Sequence, residues 1–325
     1  MNQSVHPELA QQQQALLFLL DYLKQHRYQF SVITPLSHQR IVNRKLRAMQ
    51  TAVSFQDIFG WNLPFYAADF PPELFHILQA AQLIRPQQQQ WVSTVRVASL
   101  GEELFIHSAF PTVEQDAVFF GPDTYRFNYH LTQYLNQQPL SPHRIVEICC
   151  GSSAAAITLA RKFPDIREIY ATDINPKALF YSDINAKSAG VNHIQFLYSD
   201  LFNQLQGEFD LIFTNPPYLI DPQERQYRHG GNQLDGTDLA FNIIKQGMHR
   251  LTSHGSLFLY TGVAIHEQGN KFLNALKQLM NQYSDFHYDY SEIDSDVFGE
   301  ELDQPGYEQI ERIALALVKI KRLVQ

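Results

Sequence analysis

Apolar positions follow two different periods along this chain, and the change falls near its middle. Leu16, Leu17, Leu20 and Leu23 recur at helical spacing and predict a helix over 7–27, and residues 36–49 continue in kind. Pro71-Pro72 opens a further helix through Leu83, because a first turn tolerates proline. Residues 91–98 and 103–109 flank Ser99-Leu100-Gly101 and predict a hairpin. Gly121-Pro122 then breaks an apolar run, and Asp123 or Thr124 is placed to cap a helix ending near Leu135. Residues 137–142, rich in glutamine and proline, read as a linker.

Beyond Arg144 strand-like and helix-like segments alternate, as in a parallel sheet covered by helices. Strands are expected at 144–148, 168–172, 193–198, 209–213 and 256–261, with helices at 154–163, 176–189, 237–251 and 269–283. Residues 286–293 and 310–320 follow one another with no helix between, so the last strand should run antiparallel. The expected fold is α/β, a Rossmann-like seven-stranded sheet behind an N-terminal helical and hairpin unit. The boundary is placed so that 1–138 form a recognition or lid domain and 139–325 the sheet domain.

Composition narrows the class. With 325 residues, 45% hydrophobic and 13% aromatic, the chain can bury a sizeable core in one large or two modest domains. A net charge of −8 argues against a polyanion held on a broad basic face. The only cysteines, Cys149 and Cys150, are adjacent, which suits neither a disulfide framework nor a zinc site and fits a reducing cytoplasm. Residues 1–6 show no export-signal pattern, and no apolar run approaches the roughly 20 residues of a membrane span. The 13 histidines are scattered, so no metal site is expected. Of the glutamine runs, 11–14 reads as a helix surface and 87–90 as a loop.

Candidate chemistry gathers at the strand ends, where ligands bind an open α/β sheet. The apolar run 209–213 leads into Asn215-Pro216-Pro217-Tyr218. Two prolines withhold their N–H groups, leaving the Asn215 carboxamide oxygen and a proline carbonyl to accept from an –NH2 group, with Tyr218 as a flat face. After the first strand come Glu147, Cys149, Cys150, Gly151, Ser152 and Ser153, a degenerate glycine loop opening a helix whose N-terminus favours an anionic group. Asp173, followed by Ile174, closes the second strand, 26 residues after Glu147, where an acid can accept from a ribose diol. Asp200-Leu201 follows the third strand, with Asp200 able to accept from an exocyclic amine.

In this order the motifs resemble those of a class I S-adenosylmethionine-dependent methyltransferase over residues 144–320. Asn215 to Tyr218 place the resemblance with the amino- and amide-methylating group, which includes the HemK-type glutamine methyltransferases and the adenine N6-methyltransferases. It implies S-adenosyl-L-methionine as cofactor. Glu147, Cys149, Gly151 and Ser152 would hold its methionine part, Asp173 its ribose, and Asp200 and Leu201 its adenine, with Ile174 also binding the cofactor. Asn215, Pro216, Pro217 and Tyr218 would be catalytic, with Asn215 also touching the cofactor. The implied reaction is methyl transfer to an amide or amino nitrogen of a protein or small molecule. Phe120-Gly121-Pro122-Asp123-Thr124 stands where release-factor enzymes carry Pro-Arg and Thr-Glu, which leaves the acceptor open.

Rival readings fit less well. An adenine N6-methyltransferase on RNA or DNA would want a basic groove, and 25 Lys+Arg stand against 33 Asp+Glu. A nicotinamide-dependent dehydrogenase would need G-x-G-x-x-G after the first strand, which is absent. An inactive binding subunit would leave Asp173, Asp200 and Asn215 to Tyr218 without a purpose. Two segments are expected to shape specificity: a polar, glycine-ended flap at 222–231, and an acidic loop at 291–303 on the same edge of the sheet, a fair wall for an amine-bearing acceptor.

Overall fold

A computed structural model describes residues 7–48, 51–139 and 141–323. Residues 1–6, on which the export-signal reading rests, lie outside them, as do Met49 and Leu140. The front of the chain forms α1 (Pro7–Gln25), α2 (Pro35–Arg47), a π-turn (Gln56–Gly60) and α3 (Pro72–Ala80). Thr34 Oγ1 caps α2 by accepting from Ser37 N at 3.4 Å, and Pro35 sits at its first turn.

Two hairpins follow where one was expected. Strands β1 (Ile84–Gln87) and β2 (Gln90–Ser93) pair antiparallel, so the second glutamine run is their turn, with Gln88 at φ +58°. Ser93 Oγ accepts Val95 N at 3.2 Å and donates to Val95 O at 2.6 Å. That local ring ends β2 and restarts the chain as β3 (Val95–Leu100), which pairs with β4 (Glu103–Ser108). Helix α4 (Pro122–Asn136) starts at Gly121, whose N–H donates to Thr124 Oγ1 at 3.3 Å. Asp123 is therefore no cap; its side chain turns inward and is buried.

The sheet unit runs β5 (Arg144–Ile148), α5 (Ala154–Lys162), β6 (Glu168–Asp173), α6 (Pro176–Ser188), β7 (Ile194–Tyr198), β8 (Phe209–Thr214), α7 (Asp238–Met248), β9 (Leu251–Ile265), α8 (Lys271–Met280), β10 (Phe286–Asp294) and β11 (Arg312–Arg322). Its order is β10-β11-β9-β8-β5-β6-β7. The final strand is antiparallel to both neighbours, as expected, but it is inserted between β9 and β10 and β10 is the edge. Strand β9 far outruns the expected 256–261 because both ends find partners: Leu251 pairs with Phe209 and Ile265 with Arg312.

Alternating strand residues serve the two faces of the sheet. Ile145, Leu211, Phe213 and Phe258 join a cluster that takes in α5, α6, α4 and the apolar residues of α1, α3 and the β3–β4 hairpin. Val146, Ile148, Ile212 and Leu257 face α7 and α8. A buried side chain of α6 helps fasten the hairpin to the sheet unit, beside the Arg161–Glu103 ion pair at 3.1 Å. Asn185 of α6, fully buried, accepts from Ile106 N at 2.8 Å and donates to Ile106 O at 3.3 Å, and also donates to Ser152 O at 3.1 Å. It satisfies the bare edge of β4 as a neighbouring strand would. No helix of the described residues is long and apolar enough to cross a membrane.

Candidate active site

The loop after β5 keeps the shape of a glycine loop with only one glycine. Cys149, Gly151 and Ser153 adopt φ of +57°, +53° and +55°. For the two that carry a Cβ this costs about 1–2 kcal/mol each, a strain that persists only because neighbours hold it. Cys150 N donates to Thr172 O at 3.0 Å and Ser182 Oγ to Gly151 O at 2.8 Å. Nothing lies within 4 Å of where a Gly151 Cβ would stand, so the backbone there is open to a ligand.

Buried Glu147 organises this loop from below. Its Oε2 accepts from Ser153 Oγ and from Ala156 N, both at 3.1 Å, so it caps α5 in place of the left-handed Ser153. Burial pushes its carboxyl up to about 8 against these two hydrogen bonds. Asp173, at the end of β6, accepts from Gly151 N and Asn175 N, each at 2.9 Å, and burial raises it as well. A carboxylate has about four acceptor sites, so both oxygens keep capacity for a ligand. Burial also pushes the Cys149 and Cys150 thiols well up, with the Asp173 charge next in effect.

Beyond β8 stands Asn215, whose Oδ1 is buried with no hydrogen-bond partner. A buried acceptor left open costs roughly 1–3 kcal/mol, which is reason to ask what fills it. Pro216 O accepts no hydrogen bond from the described residues. Tyr218 is less free than a stacking platform should be. Its ring packs on Gly262 of β9, where a Cβ would stand 2.4 Å from the ring carbons, and Phe298 meets it edge-on at 6.0 Å. Its hydroxyl donates to Asp123 Oδ2 at 2.5 Å.

A single cleft is lined by Glu147, Cys149, Gly151, Ser152, Asp173, Ile174 and all of Asn215, Pro216, Pro217 and Tyr218. Asp200 and Leu201 are not among the lining residues. Their turn lies at the same edge, tied by Ser199 N to Asp173 O at 3.1 Å, with Asp200 exposed and Leu201 against the α7 side. The sequence reading missed Asp123, Phe119 and Tyr227, which also line the cleft. Phe119 and Tyr227 stack at 6.1 Å, a pairing across more than a hundred residues that no local pattern marks.

The expected flap is tied down. Leu219 N donates to Arg228 O at 3.1 Å and Gly230 N to Leu219 O at 3.0 Å. Asp221 is buried and receives Arg225 through N, Nε and Nη2 at 2.9, 2.9 and 2.6 Å. Gly230 lies so close to the motif that a Cβ would meet Pro217 O at 2.5 Å. The acidic loop contributes Phe298, not acids, to the cleft wall. Glu292 pairs with Arg312 at 3.0 Å, Asp294 with Arg126 at 3.4 Å, and Glu301 with Arg228. Among the described residues no three His, Cys, Asp or Glu side chains gather to hold a metal.

A seven-stranded α/β sheet with an antiparallel final strand and its cleft at the carboxyl edge of the parallel strands is the architecture of class I methyltransferases. Residues 128–288 match the model of the methyltransferase small domain family. It is 32% identical over 130 residues to the ribosomal protein uL3 glutamine methyltransferase of Neisseria gonorrhoeae, covering 37% of this chain and 43% of that one. It is 34% identical over 141 residues to the release factor glutamine methyltransferase of Escherichia coli, covering 40% of this chain and 50% of that one. The chain thus spans about half the length of the curated relatives it matches. Among solved structures, a ribosomal protein L11 methylase from Lactobacillus delbrueckii subsp. bulgaricus aligns at 16% identity and a TM-score of 0.41, over 62% of this chain and 80% of that one.

Proposed function

We propose that this chain is a cytoplasmic S-adenosylmethionine-dependent N-methyltransferase whose acceptor is a side-chain carboxamide of a protein. The observation that carries this reading is the buried, unpartnered Oδ1 of Asn215 beside a free proline carbonyl. Two acceptors side by side match the two N–H groups of a carboxamide. The curated relatives, both named as glutamine methyltransferases of proteins, support the choice of acceptor.

The residues present fit S-adenosylmethionine. The open backbone at Gly151 and the N-terminus of α5 suit the methionine carboxylate, Asp173 suits ribose hydroxyls, and Ile174, 44% exposed, offers an apolar surface to the adenine. When bound, this cofactor supplies an electrophilic methyl group. The chain does the rest by placement. Asn215 Oδ1 and Pro216 O hold the plane of the acceptor amide and turn its nitrogen toward the methyl, and orientation of this kind contributes several kcal/mol. Tyr218 bounds the amide on one side. Elements within 1–138 serve as the recognition part, through Pro35 and the segment Ala117, Val118 and Phe119, which line the cleft.

Methyl-labelled S-adenosylmethionine, incubated with purified protein and separated ribosomal-protein, release-factor and RNA fractions, tests the proposal. Label recovered as an N-methylated carboxamide in a protein supports it. Label recovered only as N6-methyladenine gives the adenine reading instead, and no labelling together with no cofactor binding ends both.

A further inference from the structure

Asp123 is the buried carboxylate for which neither the fold nor the motifs account. It lies on α4, 95 residues before Tyr218 in the chain, yet it accepts the Tyr218 hydroxyl at 2.5 Å. On its other oxygen it accepts the Tyr260 hydroxyl of β9 at 2.7 Å and Arg126 Nη1 at 3.2 Å. Only 5% of Asp123 is exposed, so three donors on one carboxylate form a closed hub between α4, the motif after β8 and strand β9. Arg126 extends the hub to Asp294, at the start of the acidic loop. Helix α4 itself is held against the sheet by Phe127, whose ring lies 6.4 Å from Phe213 and 6.1 Å from Tyr260.

Resting on the methyltransferase reading above, we infer that Asp123 is a positioning residue that fixes the ring of Tyr218 in the acceptor cleft. The ring is held at three points: its face by Gly262, its edge by Phe298, its hydroxyl by Asp123. The hydroxyl bond fixes the far end of the ring, and Asp123 is itself held in place by Tyr260 and Arg126. A displacement of about 1 Å in a positioning group can cost 10²-fold in rate. A carboxylate suits the task better than a neutral acceptor, since a hydrogen bond to a charged group is roughly twice as strong. Tyr260 is fully buried and does not line the cleft, so it anchors the carboxylate while Tyr218 is the side chain being positioned.

Two readouts test this together. The first is proton NMR of the hydroxyls: the wild type should show two downfield, slowly exchanging hydroxyl resonances, one lost in Tyr218→Phe, one in Tyr260→Phe, and both lost or moved upfield in Asp123→Asn. The second is kinetic, with N-acetylglutamine methylamide as the amide probe and S-adenosylhomocysteine binding as control. Asp123→Asn should lower kcat by about ten- to a hundredfold with S-adenosylhomocysteine affinity within twofold, and should add nothing further in a Tyr218→Phe background. Independent multiplication of the two losses, or wild-type kcat in Tyr218→Phe, overturns the inference. Should Asp123→Asn fail to fold, Tyr218→Phe carries the kinetic test alone: a fall in kcat with melting temperature kept supports it. Should the wild type not turn over the probe, that failure falls on the methyltransferase reading. The hydroxyl resonances then decide the positioning, present supporting it and absent overturning it.

Discussion

Two buried polar clusters of opposite sign separate what holds this protein together from what it offers to a ligand. In the front of the chain His38, Arg96 and His107 are buried with no carboxylate paired to Arg96 among the described residues. Arg96 Nε donates to Gly60 O at 2.9 Å and a terminal nitrogen to His38 Nδ1 at 3.3 Å, while His38 Nε2 meets Trp61 O at 3.1 Å. A carbonyl only accepts, so Nε2 carries the proton and Nδ1 is free for the guanidinium: the ring is neutral. Burial, then the Arg96 charge, push His38 down to about 4 and His107 well below its ordinary value, and burial brings Arg96 to about 10. At the sheet edge stand the acids Glu147 and Asp123, both buried, and the half-buried Asp173. The basic cluster turns its hydrogen bonds inward and is structural; the acids line the cleft, where Asp173 keeps acceptor capacity for a ligand while Asp123 is closed by its three donors. His107 Nε2 also lacks a partner, but it lies outside the cleft, stacked on Phe120 at 5.6 Å. An orphan atom points to a ligand only where a cleft reaches it.

The sharpest break of this contrast is Asn215→Ala. It should lower kcat by about 10²–10³-fold, the usual loss for one preorganised polar contact, with S-adenosylhomocysteine affinity and melting temperature nearly kept. A lower melting temperature with unchanged transfer per folded molecule would make Asn215 structural, like the basic cluster, and remove the chemistry from the cleft. A smaller effect is expected at Asp173→Ala. Calorimetry should show S-adenosylhomocysteine binding weakened by roughly 1.5–3 kcal/mol, as for a hydrogen bond involving a charged group, and unchanged affinity would take Asp173 out of the site.

The smallest effect distinguishes the clusters by pH. His38 is depressed from 6.5 to about 4, so its contribution to stability is present above pH 6.5 and lost as pH falls toward 4. Glu147 is raised from 4.5 to about 8, so its contribution is present below pH 4.5 and lost as pH rises through 8. Melting curves of the ligand-free protein should therefore weaken at both ends. His38→Gln should flatten the acid limb alone and Glu147→Gln the alkaline limb alone. An acid limb indifferent to His38→Gln would mean that the front cluster does not titrate as its burial requires.

The period of apolar residues and the proline and glycine punctuation are local properties, and they determined the helices, all seven strands of the main sheet, the antiparallel final strand and the turns where the motif residues stand. What they missed were local competitions that a neighbour decides: Ser93 ending β2 so that two hairpins form, Gly121 rather than Asp123 starting α4, and β9 lengthening because two strands reach its ends. The degenerate loop at Cys149 to Ser153 looked like a weak glycine motif in sequence, yet its backbone holds all three left-handed turns because Asp173, Thr172 and Ser182 bind it from other elements. Nor could spacing show that Asp123 reaches Tyr218, that Asn185 closes the β4 edge, or that the acids of 291–303 turn to Arg312, Arg126 and Arg228. Such contacts join residues far apart in the chain, and no short-range pattern encodes them. They exist only once the sheet has fixed where each helix and loop must lie.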